Sequence, residues 1–566
     1  MRDVTQPPTN SLDDCYRAVT AQCAERGLSL VRLADAEDEY IGVKLQGATR
    51  TWDLYVDCNE TALKLPHLSL GGPRGLLAHV GYGGAVCVTD NQGLSLDPDR
   101  HADIVAYTVL AGYDLLEKSA ADAVTGGAEF FNELEGYWGG LPTCRTGRAV
   151  FEVDGRDRLL TAYVDSKQKP PKWYITERSK PVPSELRAKE LATRRALYLH
   201  LDELPLPPTH PDKLGATFIE AVCAKLSAPQ LELWTELFGQ SRSGPKRLVL
   251  LISVPRAAGG RSLIGAVFGA NRGVVDPTVE IIPIVLRRHS PTYMRERGGA
   301  SLELMDKHLV VLGCGAVGSV VADALAAAGI GRLTLVDSDN FSEDNVFRHI
   351  LDPVWIDLPK VRGLRAQFER RYPGVKVTAV AQTAQEWLKN ATLADFHGIV
   401  IAFGAPTLER SFSRYFRGKA KRLPVVFTWL EALDLGGHSV LTWSDGEGCL
   451  DCLYRDDEGQ PVLHPRTSFL EPDQHVSRNL TGCASTFVPY GALQARKSGL
   501  LAAEHILSAL TSKVSPAYRF WVGDGVAAAE AGLRTTNWWL TAKHTSQTEA
   551  SFRAFGRPCK RCRGST

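Results

Sequence analysis

The sequence has no 18-residue stretch free of charge, and its opening, MRDVTQPPTNSLDDCYRAV, lacks a basic start followed by an apolar run. Neither a membrane-spanning helix nor a cleavable leader is expected, which predicts a cytoplasmic protein with no membrane partner. Charge of one sign is missing as well: 65 Lys+Arg stand against 64 Asp+Glu, a net charge of +1. No global field would draw in nucleic acid, so none is expected as a partner. Internal repeats are absent. Nor is the composition that of a disordered chain, with 44% hydrophobic and 23% charged residues.

What is present begins with length: 566 residues correspond to about three to four domains. Twelve cysteines in a reducing compartment read as buried thiols, metal ligands or nucleophiles rather than disulfides. Four fall into two CxxC pairs, Cys449/Cys452 and Cys559/Cys562. The other eight, among them Cys87, Cys314 and Cys483, are isolated, and each by default is a small buried hydrophobe.

Three blocks differ in texture. Residues 1–140 open with a helical pattern from Leu12 to Arg26. Strand-like runs YIGVKL and TWDLYVD follow, then a GGPRG loop, AVCVTD and a periodic helix from about His101 to Leu116. This order predicts an α+β domain. Residues 141–300 mix Pro-rich connectors with a charged helix (SELRAKELATRRALYLHL) and apolar strands (RLVLLISV, VEIIPIVL), a mixed α/β linker domain without a catalytic pattern. In residues 301–566, strand, glycine turn, helix and strand succeed one another from Lys307 onward, the pattern of an α/β, doubly wound parallel sheet.

HLVVLGCGAVGSVVADALAAAGIGRLTLVDSDN sets Gly313, Gly315 and Gly318 between an apolar strand and a helix, with Asp337 at the end of the next strand. Such glycines let the backbone approach phosphates, the helix start offers unpaired N–H groups, and the acid can accept ribose hydroxyls. A nicotinamide or flavin dehydrogenase would carry the same turn. The residues that follow separate the alternatives: Asp337-Ser338-Asp339, then Asn345-Val346-Phe347-Arg348, then Asp357-Leu358-Pro359-Lys360. This series resembles the ThiF/MoeB/ubiquitin-activating superfamily, a Rossmann-like adenylation fold. The resemblance implies ATP, with Asp337 on the ribose and Asn345, Arg348 and Lys360 around the triphosphate. Where the superfamily has a magnesium-binding Asp, GIVIAFGAPTLER offers Gly404-Ala405. Mg2+ is still expected for triphosphate chemistry, with Asp339 as the candidate ligand. Arg295 and Arg297 of YMRERGG stand where the superfamily often has an arginine that reaches a partner subunit's ATP site, and homodimers are usual there.

Two CxxC knuckles can close a tetrahedral thiolate site for structural zinc, whereas a redox CxxC would normally be a single pair at a helix start. The same resemblance places Zn2+ at Cys449, Cys452, Cys559 and Cys562. Between the pairs, LTGCASTFVPYGALQARKSG sets Cys483 ahead of a helical segment, and Gly491, Leu493, Gln494 and Ala495 match the start of the superfamily's helix behind its thioester-forming cysteine. A thiolate near a helix N-terminus has a lowered pKa and can attack an acyl-adenylate.

The stretch LPHLSLGGPRGLLAHVGYGGAVCVTD resembles the active-site region of ubiquitin-conjugating enzymes: His79-Val80, a turn over Gly81 to Gly84, then Cys87. The Pro and Asn that usually follow the His are absent, so the oxyanion-steadying amide is missing or replaced. A conjugating-like domain, a linker and a ThiF-type domain in one chain resemble the fused enzyme of bacterial CBASS anti-phage operons. The resemblance implies a protein substrate with a free C-terminal carboxylate, a cGAS-like nucleotidyltransferase, activated at Cys483, passed to Cys87 and joined to an amine. Alternatives are a sulfur-carrier activator of the thiazole or molybdopterin type, and a non-catalytic scaffold with both sites degenerate.

Overall fold

The computed structural model describes residues 12–562 apart from 35, 37–39, 59–63, 73–74, 90–92, 125–126, 168, 178–190, 208–213, 239–245, 420–421, 481–485 and 513. The chain divides into two compact units, Met1–Ser290 and Pro291–Thr566.

The first unit contains two sheets. A five-stranded antiparallel meander runs through Leu30–Arg32, Tyr40–Gln46, Thr51–Asp57, Leu68–Leu70 and Ala85–Val86. In TWDLYVD the alternation buries Trp52, Leu54 and Val56 and leaves their neighbours at least partly in water, the period-2 pattern of a half-buried strand. Those three side chains share a core with Val19 and Cys23 of the helix Leu12–Glu25 and with Val105 and Val109 of the helix His101–Val124. This is the expected α+β arrangement, with the second helix longer than its pattern suggested.

The second sheet has eight strands, and its extra pairing is decisive. Lys246–Pro255 pairs in parallel with Ala192–His200 on one side and antiparallel with Arg261–Asn271 on the other. The ring runs on through Arg158–Asp165, Lys172–Glu177, Arg145–Val150 and Ile282–Arg288 back to Arg261–Asn271, with Val274–Val275 as an appendage. Seven strands therefore close on themselves, which removes free edges. Along Lys246–Pro255, Val249 and Leu251 join one core, while Leu248, Leu250 and Ile252 join a second with the helices Ala216–Cys223 and Ala228–Phe238.

One expectation is corrected here. The charged helix read in SELRAKELATRRALYLHL is a strand over Ala192–His200, and the part before residue 191 lies outside the described residues. The run Ala196–Leu199 is buried throughout. Neighbours on both sides of it supply ladder bonds and apolar contact, which override the helix propensity of the flanking charges.

The second unit holds a seven-stranded sheet in the order Lys376–Val380, Arg332–Val336, His308–Leu312, Gly398–Ile401, Pro424–Leu430, Gly436–Trp443 and Ala517–Val522. The first five are parallel and the last two antiparallel. Helices cover both faces. Leu309 and Val311 pack with the helices Ala316–Ala328, Lys360–Arg371 and Ala492–Thr511, whereas Val310 and Leu312 pack with Ala384–Asn390 and Pro406–Phe416. Strand order reverses at His308–Leu312, and a doubly wound sheet opens its ligand crevice beyond the carboxyl ends of the strands at such a point.

Phe427, fully buried in Pro424–Leu430, tests this layering. Phe427→Ala is expected to cost about 3–5 kcal/mol, read in denaturant titration as an earlier unfolding transition of the second unit with that of the first unit unchanged.

Candidate functional site

The strand His308–Leu312 ends at Gly313 with φ +82°, a conformation L side chains rarely adopt. The chain is also tight here. A Cβ at Gly318 would lie 1.8 Å from the Gly313 carbonyl oxygen, so only glycine lets the helix Ala316–Ala328 start so close to the strand. At Gly315, the residue preceding that helix, a Cβ would meet nothing within 4 Å. The backbone there faces open space, and a phosphate could approach it.

Asp337 fixes this loop. One carboxylate oxygen accepts the Cys314 N–H at 2.6 Å and the other accepts the Asp339 N–H at 2.8 Å. Each oxygen keeps a lone pair for a ribose hydroxyl. Lys360, 6% exposed at the start of its helix, brings its ammonium 3.0 Å from the Asp339 carboxylate. A buried ammonium needs such a partner, because desolvation otherwise penalises its charge. Gly313, Gly315, Asp337, Asp339 and Lys360 together line a cleft of about 340 Å3, whose far wall includes Gln382, Thr383 and Phe403.

Asn345 and Arg348 do not line this cleft. The Asn345 side-chain oxygen accepts from the Ser342 N–H and hydroxyl in a capping box. The Arg348 guanidinium lies 4.8 Å from the centre of the Tyr490 ring and donates to the Asp344 carbonyl. Arg295 is buried and one terminal nitrogen donates to the Gly329 carbonyl oxygen, while its Nε and other terminal nitrogen find no partner among the described residues; Arg297 is exposed.

Two residues that pattern reading passed over support the loop. His349 is buried, and its Nε2 lies 2.7 Å from the Cys314 carbonyl oxygen while its Nδ1 accepts the Leu351 N–H. That pairing assigns the proton to Nε2, and burial lowers the imidazole to about 4, so it is neutral near pH 7. Glu409 is 3% exposed and accepts the Gly404 N–H at 3.0 Å. It secures the turn that stands in place of the superfamily's Asp, and burial raises its carboxyl to about 7. His349 adjoins the Asn345–Arg348 motif and Glu409 follows Gly404 by five residues, so spacing was the only available signal for either.

The four CxxC cysteines converge. All are buried, their sulfurs lie within 4.8 Å of one another, and the closest distances are 3.5 and 3.9 Å. A tetrahedral ion with metal–sulfur bonds of about 2.3 Å separates its ligands by about 3.8 Å, so the donor set fits zinc. Arg466 braces this knuckle by donating to the carbonyls of Cys452 and Ala554. Cys483 lies outside the described residues. Flanking it in sequence, Asn479 pairs with Thr486 in a two-stranded ladder, and the Gly491 N–H ahead of Ala492–Thr511 donates to Asp434 at 2.7 Å.

In the first unit the segments proposed for conjugation also meet. Val80 bridges Val86, the Cys87 N–H donates to the His79 carbonyl at 2.8 Å, and Gly81 to Gly84 form the intervening turn. Cys87 is exposed, against the buried default for an isolated cysteine, whereas Cys15, Cys23, Cys58 and Cys314 follow it. Among the described residues no helix is long and apolar enough to cross a membrane.

Two measurements test these assignments. Metal analysis of the purified chain is expected to find about one zinc per chain, lost on combining Cys449→Ala with Cys559→Ala; unchanged zinc rules the site out. For Glu409 the folded-state pKa is raised, so its contribution to stability is full below the unfolded value of 4.5 and is lost as pH rises through about 7. Between about pH 5 and pH 8 the wild type should therefore lose up to about 3 kcal/mol relative to Glu409→Gln, seen as diverging melting temperatures. Parallel curves would mean that the carboxyl ionises without penalty.

Residues 292–526 match the family described as ThiF family. The chain is 24% identical over 249 residues to the ATP-dependent ubiquitin transferase-like protein Cap2 of Pseudomonas aeruginosa (strain BWHPSA011 / Pa011), covering 43% of this chain and 43% of that protein. It is 30% identical over 153 residues to the molybdopterin-synthase adenylyltransferase of Escherichia coli (strain K12), covering 27% of this chain and 60% of that protein. The crystal structure of E. coli MccB + MccA-N7isoASN aligns over 42% of this chain and 65% of that chain, at 17% identity and a TM-score of 0.31. The chain thus spans less than two thirds of each relative's length. Glycine loop, acidic strand end, buried lysine and matched residues agree: the second unit carries a ThiF family domain.

Proposed function

We propose that the chain uses ATP to activate the C-terminal carboxylate of a protein and conjugates it to an amine. The carboxylate attacks the α-phosphate of ATP and pyrophosphate leaves. The Cys483 thiolate displaces AMP to form a thioester, Cys87 takes over the acyl group, and an amine nitrogen displaces Cys87 to form the amide. Asp337 holds the ribose and Lys360 faces the phosphates, with Asn345 and Arg348 assigned to the triphosphate once it is bound. Asp339 is the candidate ligand for Mg2+, which would neutralise phosphate charge.

The observation that carries this reading is the exposed Cys87 on an α+β unit in the same chain as the glycine-loop cleft. The ubiquitin transferase-like name of the Cap2 relative supports it. In this reading residues 1–140 conjugate, 141–300 link and 301–566 adenylate, and the substrate is a cGAS-like nucleotidyltransferase of a CBASS anti-phage system in the cytoplasm. Homodimer formation is part of the proposal, supported by Phe347 and Val354, which are 90% and 74% exposed beside the nucleotide segment. A sulfur-carrier activator is the second reading, favoured by the molybdopterin-synthase adenylyltransferase match.

Variants separate the steps. Asp337→Ala or Lys360→Ala should abolish ATP–pyrophosphate exchange. Cys483→Ala should still exchange but carry no thioester, and Cys87→Ala should load Cys483 yet yield no amide. Thioesters are read as reductant-sensitive adducts on non-reducing gels. Tight NADH binding without ATP binding would overturn the nucleotide assignment, and amide formation at the wild-type rate by Cys87→Ala would favour simple activation.

A further inference from the structure

The turn opposite Cys87 carries a group that the steps above do not use. His79 sits across the short bridge from Cys87, since Val80 pairs with Val86 and the Cys87 N–H donates to the His79 carbonyl at 2.8 Å. Its backbone has φ +62°, a left-handed conformation that a non-glycine residue rarely takes and that turns its side chain away from a regular strand position. Two carboxylates face the imidazole: Glu129 lies 3.4 Å from Nε2 and Glu133 lies 3.8 Å from Nδ1.

These acids are placed by the fold. Glu129 belongs to the helix Ala128–Asn132, its N–H donates to Asp122 at 3.0 Å, and its second oxygen accepts from Asn132 at 3.1 Å. All three side chains reach solvent, with 21% exposure for His79, 34% for Glu129 and 43% for Glu133. The exposed thiol thus belongs to the residue whose backbone bonds directly to His79, and the His79 imidazole in turn meets two carboxylates.

We propose that His79 accepts the proton of the primary amine that attacks an acyl group on Cys87, with Glu129 and Glu133 attracting that amine and steadying the imidazolium. This rests on the reading that Cys87 carries the acyl group. The ammonium held by the carboxylates first loses a proton to water; the neutral amine nitrogen then forms a bond to the thioester carbonyl carbon, the carbon–sulfur bond breaks, Cys87 leaves as thiolate, and the second amine proton passes to the ring nitrogen of neutral His79 that carries the lone pair. Atoms and charge balance with no reactant beyond water, and the proton then exchanges with water. The carboxylates favour a cationic acceptor such as a lysine side chain over a neutral alcohol.

The test bypasses the ATP-dependent steps. Full-length Cys483→Ala protein is incubated with a peptide α-thioester, which can acylate Cys87 by thiol exchange, and discharge to the amine of a lysine derivative is followed by mass spectrometry, with Cys87→Ala as the blank. His79→Ala added to this background should slow amide formation about 100-fold while loading stays unchanged, and added imidazole should restore the rate in that variant without speeding the parent. Should His79→Ala fail to fold, Glu129→Gln with Glu133→Gln offers a second arm, expected to raise the half-saturating amine concentration several-fold with loading intact. An unchanged amide rate in His79→Ala, or a loss that imidazole does not repair, overturns the role of His79 and leaves Cys87 as acyl carrier. If the parent takes up no acyl group at Cys87 while iodoacetamide still alkylates it, the acyl-carrier reading falls and this inference falls with it.

Discussion

Asp337 accepts two backbone N–H groups at once, one from Cys314 in the glycine loop and one from Asp339 two residues on. With those bonds the carboxylate ties the ends of two adjacent parallel strands to one geometry. His349 secures the same loop by donating to the Cys314 carbonyl. A glycine-rich turn has little intrinsic preference for one conformation, so these side chains determine whether the backbone stays open to an anion. The position of Asp339, and through it that of Lys360, follows from the same carboxylate.

The features legible in the sequence are those whose chemistry is local. Gly313, Gly315 and Gly318 act within one strand–turn–helix unit, where the spacing itself states the geometry. The CxxC pairs are distant in sequence, but each knuckle is local, and four buried sulfurs have few other uses. The closed sheet of the first unit was not legible, because its closure lies in the pairing of Lys246–Pro255 with two partners at once. Ala192–His200 shows the same limit, since its strand state comes from neighbours far along the chain. Asn345 and Arg348 lie close to the motif but are engaged by Ser342, Asp344 and Tyr490.

Cys87, proposed to carry the acyl group, differs from the thiol of the glycine loop in its surroundings. Cys87 stands exposed at a short strand end, which suits a thiol that must meet both a donor thioester and an amine. Cys314, by contrast, lies in the nucleotide loop but is fully buried, and burial beside Asp337 pushes its thiol well above the usual range. Proximity to the nucleotide therefore does not make a nucleophile; exposure and thiolate character do.

The pairing of Lys360 with Asp339 places a further constraint on the proposed chemistry. Lys360 is 7% exposed in its side chain and Asp339 is 66% exposed, so the lysine carries most of the desolvation cost and depends on the carboxylate for neutralisation. On the proposed function, a triphosphate entering the cleft would bring several negative charges to the same ammonium and would replace that carboxylate. Asp339 would then be released on its solvent side, where a divalent cation accompanying the triphosphate would find an oxygen ligand. In the proposed reading one aspartate thus neutralises the lysine before the nucleotide arrives and would accept the cation afterwards, which would let the site work with Gly404-Ala405 at the later strand end.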